Sequence, residues 1–301
     1  MALLKQLAIA SSLMLICSCS TTNEPEDIDV NAGSYQDSSK KTSTSSDNPV
    51  QGDDGDFADS DLYKYFDWVN IPAVDFTKGS ATYKISTYSM TATEVTQEAY
   101  MAVMGELPNL PKKGDRFPVV NVSWYDAVLF CNAFSKGMGE DTVYEYTSVG
   151  KNNYLEKLKI NYSAAGFRLP TEMEWEVAAH GGTSSAYYWG SEIASDYANY
   201  GDANGLAEVG QFIANKFGLY DMAGNAAEWV NDWYDSYNVK DVSNPVGPES
   251  GKLRCVRGGS WADPLKDKDE NYPLKPATRN KKDPLYTATT LGFRMVYSKG
   301  F

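Results

Sequence analysis

The chain has 301 residues, of which 42% are hydrophobic, and this is enough for one large core or two modest ones. The formal net charge is -13, but residues 20–60 hold ten acidic side chains against Lys40 and Lys41, so residues 61–301 are only mildly acidic. This balance argues against nucleic acid, and against an anionic membrane surface, as a partner of the folded part.

The N-terminus has the pattern of a secretory signal peptide. Residues 1–19 combine a lysine with an apolar run, Leu7 to Ile16, that is too short to span a bilayer. The residues before Cys19 resemble a bacterial lipobox, which implies that Cys19 is acylated and anchors the protein to a membrane. An ordinary cleaved signal is the alternative. The expected location is the cell envelope, and the outer membrane by analogy, because Ser20 is not the aspartate that retains lipoproteins in the inner membrane.

Residues 20–60 are mainly Ser, Thr, Asn, Asp, Glu and Gly. Such a segment buries too little apolar surface to offset the entropy of ordering it, so we predict an acidic, disordered tether. The length that follows, residues 61–301, fits one domain better than two.

Three segments of this domain show helical periodicity with recognisable caps. Their predicted N-caps are Thr96, Ser123 and Thr171, and their predicted ends are Gly105, Gly137 and Gly181. In the second segment four apolar residues recur on one face: Ala127, Phe130, Cys131 and Phe134. The three helices are therefore expected to be short and amphipathic.

Elsewhere the apolar segments have the length of strands. Examples are TYKISTYSM (82–90), LRCVRGG (253–259) and GFRMVY (292–297), separated by long stretches rich in Gly, Asn, Asp and aromatic residues. The predicted class is α+β with many loops. Long loops inside a compact domain are uncommon unless they are functional or held by something such as a metal ion.

Six motifs in this order resemble those of the formylglycine-generating enzymes, or sulfatase-modifying factors. The motifs are EVTQ, FPVVNVSWYDAVLFCN, GFRLPTEMEWEVAAHGG, NKFGLYDMAGNAAEW, VRGGSW and LGFR, and the resemblance runs from about Trp68 to Phe301. It implies the fold of this family, a loop-rich variant of the C-type lectin fold.

The resemblance also defines what is missing. Active members oxidise a substrate cysteine to formylglycine with dioxygen and a copper ion held by two cysteine thiolates just after the Gly-Gly-Ser-aromatic segment. Here Asp263 stands at the first thiolate position, and no cysteine occurs between Val256 and Phe301. We therefore expect no copper site and assign no catalytic residue. The alternative is a metal-dependent oxidase using Asp263, Glu270 and His180 as ligands.

Calcium is the cofactor that the resemblance implies. The first set of family ligands corresponds to the side chain of Asp221, the carbonyls of Gly224 and Ala226, and the side chain of Glu228. A second, weaker set corresponds to Asn199, the carbonyl of Tyr200, Asp202 and the carbonyl of Asn204. In the alternative interpretation Glu228 only accepts hydrogen bonds from loop amides.

The family's substrate groove provides further candidates. Their positions in this chain are Arg257, Ser260, Trp261 and Arg279, while Arg294 is interpreted as a structural ion-pair partner. Ser260 in a Gly-Gly-Ser turn also has a purely structural interpretation. Whether Cys131 and Cys255 form a disulfide is left open by the sequence.

These observations favour a cell-envelope lipoprotein whose domain acts as a binding or assembly module for a protein, peptide or glycan. The first alternative is the metal-dependent oxidase, acting in sulfatase maturation. The second is a protein that recruits an active relative to a sulfatase without turnover of its own.

Overall fold

The structure is a computed structural model, and all residues that it describes fall in one compact unit, Asp47–Phe301. The described ranges are 61–201, 205–236, 242–265 and 268–301. The predicted signal peptide, Cys19, the tether, Asp202 and Asn204 lie outside the described residues.

The described residues form three α-helices and fifteen short strands. The helices are Gln97–Met104 (α1), Trp124–Gly137 (α2) and Glu172–His180 (α3). The strands are Trp68–Ile71 (β1), Val74–Lys78 (β2), Ala81–Ile85 (β3), Tyr88–Thr91 (β4), Tyr144–Glu145 (β5), Ser148–Val149 (β6), Leu155–Glu156 (β7), Lys159–Ile160 (β8), Gly166–Arg168 (β9), Ala227–Trp233 (β10), Val242–Ser243 (β11), Arg254–Arg257 (β12), Asn280–Lys282 (β13), Leu291–Phe293 (β14) and Val296–Ser298 (β15).

All three predicted helices are present with the predicted N-caps. Thr96 accepts a hydrogen bond from the third helical amide of α1, and complete capping boxes begin α2 at Ser123 and α3 at Thr171. The ends of α1 and α3 are left-handed glycines, as predicted. Helix α2 differs slightly, because Gly137 is its last helical residue and Met138 follows as the C-cap.

Two four-stranded sheets carry most of the domain. The strand orders are β1-β4-β15-β9 and β13-β12-β10-β14, and a three-stranded sheet has the order β11-β3-β2. Strand β14 runs parallel to β10, whereas β12 is antiparallel to both of its neighbours. The segment GFRMVY, predicted as one strand, contributes to β14 and β15 in different sheets. The chain changes sheet at Arg294 and Met295, where the side chain of Arg294 is buried.

Aromatic side chains fill the space between helix α2 and the sheets. Phe134 packs its ring against Phe66, Trp68 and Phe167 with centroid distances of 5.1, 6.4 and 4.6 Å. Trp124, like Phe134, has 0% of its surface exposed. Large rings therefore stabilise a domain with little regular backbone structure, as the composition indicated.

Cys131 in α2 and Cys255 in β12 are both buried free thiols, so the question of a disulfide that the sequence left open is answered against one. None of the helices in the described part of the chain combines the length and hydropathy needed for a membrane span.

Phe134→Ala should lower the free energy of unfolding by about 3–5 kcal/mol, because it removes a fully buried ring and leaves a cavity between α2 and the sheet. Urea denaturation followed by fluorescence measures this change. Met101→Ala is the matched control, since 47% of Met101 is exposed, and its effect should stay within about 0.5 kcal/mol. Equal effects of the two substitutions would contradict the assignment of the core.

Candidate functional site

The Gly-Gly-Ser turn follows β12 directly and requires its glycines. Gly258 and Gly259 have φ angles of 89° and 66°, the left-handed region that side chains disfavour. A Cβ atom on Gly259 would lie 2.6 Å from the side chain of Leu274. Both the backbone conformation and the lack of space for a Cβ atom therefore require glycine here. The turn positions Ser260, Trp261 and Asp263.

Asp263, at the expected copper-thiolate position, closes this turn on itself. Its Oδ2 accepts hydrogen bonds from the backbone N–H of Ser260 at 2.8 Å and from the Ser260 hydroxyl at 3.0 Å. The backbone carbonyl of Asp263 accepts a further bond from the N–H of Gly201. The carboxylate therefore stabilises the turn through hydrogen bonds inside it. Ser260 is 5% exposed, and its hydroxyl points to Asp263.

Trp261 stands at the border between the core and the surface. It is half-buried and packs on the main aromatic core, and its backbone N–H donates to the carbonyl of Asn225. Its indole N–H is buried and has no hydrogen-bond partner. This position agrees with the expectation that Trp261 belongs partly to the core.

Arg257 and Arg279 belong to a network of buried ion pairs rather than to an open groove. Arg257 donates to Glu176 at 2.5 Å and to Glu172 at 3.4 Å, and Arg279 donates to Glu172 at 2.5 Å. Lys78 completes the network through Glu176 at 2.6 Å. Burial opposes ionisation of Glu176, but Arg257 and Lys78 hold the pKa of that carboxyl below its ordinary value.

This network corrects the expectation for two groove candidates. The side chain of Arg257 is 0% exposed and that of Arg279 is 16% exposed, and each meets a carboxylate from α3. An arginine on β12 faces the helix because two glutamates one turn apart on α3 point toward the sheet. Of the four candidates, Trp261 and Arg279 retain a partly exposed surface.

A pair of buried carboxyl groups lies where the first calcium set was predicted. Asp221, 1% exposed, accepts a hydrogen bond on Oδ2 from the N–H of Gly210 at 2.7 Å. Glu94, also 1% exposed, accepts on Oε1 from the side chain of Asn225 at 3.1 Å. The remaining oxygens, Asp221 Oδ1 and Glu94 Oε2, are buried and accept no hydrogen bond from an N–H group, so beyond their other oxygens the two carboxyl groups have only each other.

Both groups are energetically unfavourable as bare carboxylates. Burial, followed by the charge of Asp221, raises the pKa of Glu94 well above its ordinary value. Burial also raises the pKa of Asp221, although the N–H of Gly210 and the charge of Arg294 oppose this effect. Two adjacent carboxyl groups with unbonded oxygens fit a hard cation, because a divalent ion compensates both charges at once.

Glu228, the second carboxylate of that predicted set, is engaged by other groups. Arg294 Nε lies 2.8 Å from Oε2, Arg294 Nη2 lies 2.8 Å from Oε1, and the indole N–H of Trp175 donates to Oε2 at 2.7 Å. The structure therefore joins Glu228 to Arg294 and Trp175, and not only to loop amides. The structural interpretation of Arg294 is confirmed.

The backbone ligands of the first set lie beside this pair on a close-packed loop. Gly224 has a φ of 80°, and a Cβ atom there would lie 2.1 Å from the carbonyl oxygen of Asn199. This contact links the two predicted calcium loops. In the second loop the side-chain N–H of Asn199 donates to the carbonyl of Gly205 at 2.9 Å, and Tyr200 is half-buried. The described residues do not include the other two members of that set.

The ligands of the alternative oxidase do not converge. Within the described residues no three His, Cys, Asp or Glu side chains are placed to hold one metal ion. His180 ends α3 with its ring 5.5 Å from that of Phe76, Glu270 is exposed, and Asp263 caps its own turn.

Glu94 is the site residue that sequence reasoning missed. It lies in the motif EVTQ, just before the N-cap of α1, and a single glutamate at a helix start usually indicates only a favourable helix dipole. Its contact with Asp221 joins residues far apart in the chain, so nothing in the local pattern reveals the pair.

Asp263→Ala should destabilise the domain by about 1–3 kcal/mol, because the N–H and hydroxyl of Ser260 lose their acceptor in a mostly buried turn. Chemical denaturation measures this loss, and amide hydrogen exchange should become faster at Ser260. Asp269→Ala is the control: Asp269 also accepts from a turn amide, that of Asn271, but it is exposed, so water replaces it. Equal losses in the two variants would contradict the capping role.

The comparisons with known proteins agree with this geometry. Residues 20–299 match the Sulfatase-modifying factor enzyme 1-like domain. The chain is 35% identical over 211 residues to "Chaperone protein LppX" of Paenibacillus barcinonensis, covering 60% of this chain and 72% of the relative. It is 31% identical over 197 residues to "Inactive C-alpha-formylglycine-generating enzyme 2" of Mus musculus, covering 61% of this chain and 50% of that protein.

Among solved structures, "Treponema denticola variable protein 1" superposes with a TM-score of 0.65 at 32% identity, covering 77% of this chain and 95% of that one. The predicted fold class, loop-rich α+β of the C-type-lectin-like kind adopted by formylglycine-generating enzymes, is confirmed. With a domain match across nearly the whole chain and motifs in the same order, the protein belongs to the sulfatase-modifying factor family.

Proposed function

We propose that this protein is a member of the family without oxidase activity, which serves in the cell envelope as a binding or assembly module for a protein, peptide or glycan. The observation that carries the proposal is Asp263. At the position of the first copper thiolate it provides a hard carboxylate, which is already used to cap the Gly-Gly-Ser turn.

The chemistry of copper supports this proposal. Monovalent copper prefers soft thiolate ligands, and carboxylate oxygen replaces them poorly. The nearest cysteine in the chain is Cys255, which is 0% exposed in β12. Burial raises the pKa of its thiol well above the ordinary value, so it is a poor source of thiolate.

The relatives are consistent with a role in binding. One is named a chaperone and one is named an inactive formylglycine-generating enzyme. These names describe those proteins, and for this chain we propose a binding role without the oxidation step. We further propose that Cys19 anchors the module to the envelope, at the outer membrane, with residues 20–60 as the tether.

Purified protein, supplied with copper, reductant and dioxygen, should leave the cysteine of a sulfatase-derived peptide unmodified, because the thiolate site is absent. Mass spectrometry of the peptide measures the product, and an active formylglycine-generating enzyme under the same conditions is the positive control. Aldehyde formation above the level of a metal-free sample would overturn the proposal. The same assay with iron in place of copper tests the alternative oxidase.

We also propose that the module binds calcium at the loop containing Asp221, Gly224 and Ala226. The unbonded oxygens of Asp221 and Glu94 support this assignment, together with the preference of calcium for carboxylate and carbonyl oxygen. Bound calcium would link the segment before α1 to the loop before β10. The residues of the second set, Asn199, Tyr200, Asp202 and Asn204, are proposed as a further, weaker site.

After EDTA has removed bound metal, added calcium should raise the melting temperature. At a calcium concentration of a hundred times Kd, the folded state is stabilised by about 2.7 kcal/mol. Asp221→Asn should abolish most of this shift. The same substitution should not lower stability in EDTA, because it removes one of two adjacent buried charges.

Differential scanning calorimetry measures both quantities. Asp196→Asn, at an exposed aspartate, is the control and should behave as the unmodified protein. A calcium shift of full size in Asp221→Asn would contradict this site.

A further inference from the structure

Strand β13 forms one edge of the sheet β13-β12-β10-β14. Its three residues, Asn280–Lys282, pair antiparallel with Val256, Cys255 and Arg254 of β12. On the other side, no described strand pairs with β13. The edge is therefore open to another extended backbone, as far as the described residues show.

This edge carries two unpaired positive charges. Lys281 and Lys282 are exposed, and neither forms a salt bridge with a described residue. Successive residues of a strand point to opposite faces, so the strand presents one ammonium group on each face of the sheet edge.

Tyrosine rings hold both lysines in place. Lys281 Nζ lies 4.2 Å from the ring centroid of Tyr234, and Lys282 Nζ lies 4.7 Å from that of Tyr286. A cation–π contact orients an ammonium group without neutralising its charge. Both ammonium groups therefore keep their charge for an anionic partner while their side chains lose part of their freedom.

The nearby acidic groups have other partners. Asp283 Oδ1 accepts the N–H of Leu285 at 2.9 Å, and Asp235 Oδ1 accepts the N–H of Ser236 at 2.7 Å. Glu172 forms ion pairs with Arg279 and Arg257. Asp283 and Asp235 keep their charge, but among the described residues neither forms a salt bridge with Lys281 or Lys282.

We propose that β13 is the docking edge for an extended acidic peptide segment of a partner protein, which adds as a further strand. Backbone hydrogen bonds supply the affinity, and carboxylates on both faces of the added strand meet Lys281 and Lys282. The inference rests on the proposed function, because it names the partner class of the binding module.

Charge selects this occupant over a second copy of the chain. Edge-to-edge pairing of two β13 strands would bring lysines next to lysines, and like charges opposite each other in a ladder are unfavourable. Lysine on an edge strand is also a common protection against self-association. An acidic strand is attracted to these lysines, so neither the like-charge repulsion nor the protection by edge lysines opposes its addition.

The probe is a fluorescein-labelled peptide of eight residues, Glu-Glu-Val-Val repeated twice, which places carboxylates on both faces of an extended strand, and the corresponding Lys-Lys-Val-Val peptide is the charge control. Fluorescence anisotropy should show binding of the acidic peptide only, weakening as salt rises. Lys281→Glu/Lys282→Glu should weaken it about tenfold or more, since two attractive contacts become repulsive.

Lys84→Glu is the matched control variant. Lys84 is an exposed lysine on β3, which has strands on both sides, so its charge reversal should leave peptide affinity unchanged. Melting temperatures of all variants, measured in parallel, show that each is folded.

Two N-methylated versions of the acidic peptide distinguish strand addition from simple charge attraction. One lacks the N–H donors at odd positions, and the other lacks them at even positions. Only one set of amides faces β13, so one peptide should bind and the other should not. Equal binding of both peptides, or full affinity in Lys281→Glu/Lys282→Glu, would overturn the inference. A positive oxidase assay would instead overturn the proposed function, so the two failures are distinguishable.

Discussion

The ion pair between Arg294 and Glu228 is the contact on which the rest of the domain depends. It joins β10 to the point where the chain leaves β14 for β15, and Trp175 ties α3 to the same carboxylate. The guanidinium also donates to the carbonyls of Thr91, Ala92 and Tyr220. A buried charge is tolerated when every polar atom around it is bonded, and removal of one partner of such a pair typically costs about 3–5 kcal/mol. Two sheets, one helix and the predicted calcium loop thus share one electrostatic centre.

Other buried charged groups also join elements of the domain. A second set of buried ion pairs, formed by Arg257, Glu172 and Glu176, fastens α3 to β12. Arg254 lies between two indole rings, with its guanidinium carbon 3.7 Å from the centroid of Trp124 and 3.4 Å from that of Trp233. Asp263 lies outside these networks, and its carboxylate closes the Gly-Gly-Ser turn through Ser260.

Local patterns predicted the helices well and the strands less well. The N-caps Thr96, Ser123 and Thr171 bond to backbone amides only three positions further along the chain. Helix capping can therefore be predicted from the local sequence. The segment GFRMVY has the hydropathy of one strand, yet it serves two sheets. The reason is that Arg294 in its middle binds a glutamate 66 positions away along the chain. The burial of Arg257 was missed for the same reason: it belongs to the loop motif VRGGSW, but the glutamates that bury it lie on α3.

The sequence by itself determined the family, the loop-rich α+β class, the three helices with their caps, and the absence of a cysteine after Cys255. Each of these depends on residue identity or on neighbours within a few positions. Only the tertiary structure decided that Glu94 meets Asp221, that Glu228 binds Arg294, that both cysteines are free and that β13 forms an edge. These contacts join segments distant in the chain, and their energies depend on burial and on the position of opposite charge, which exist only after the chain has folded.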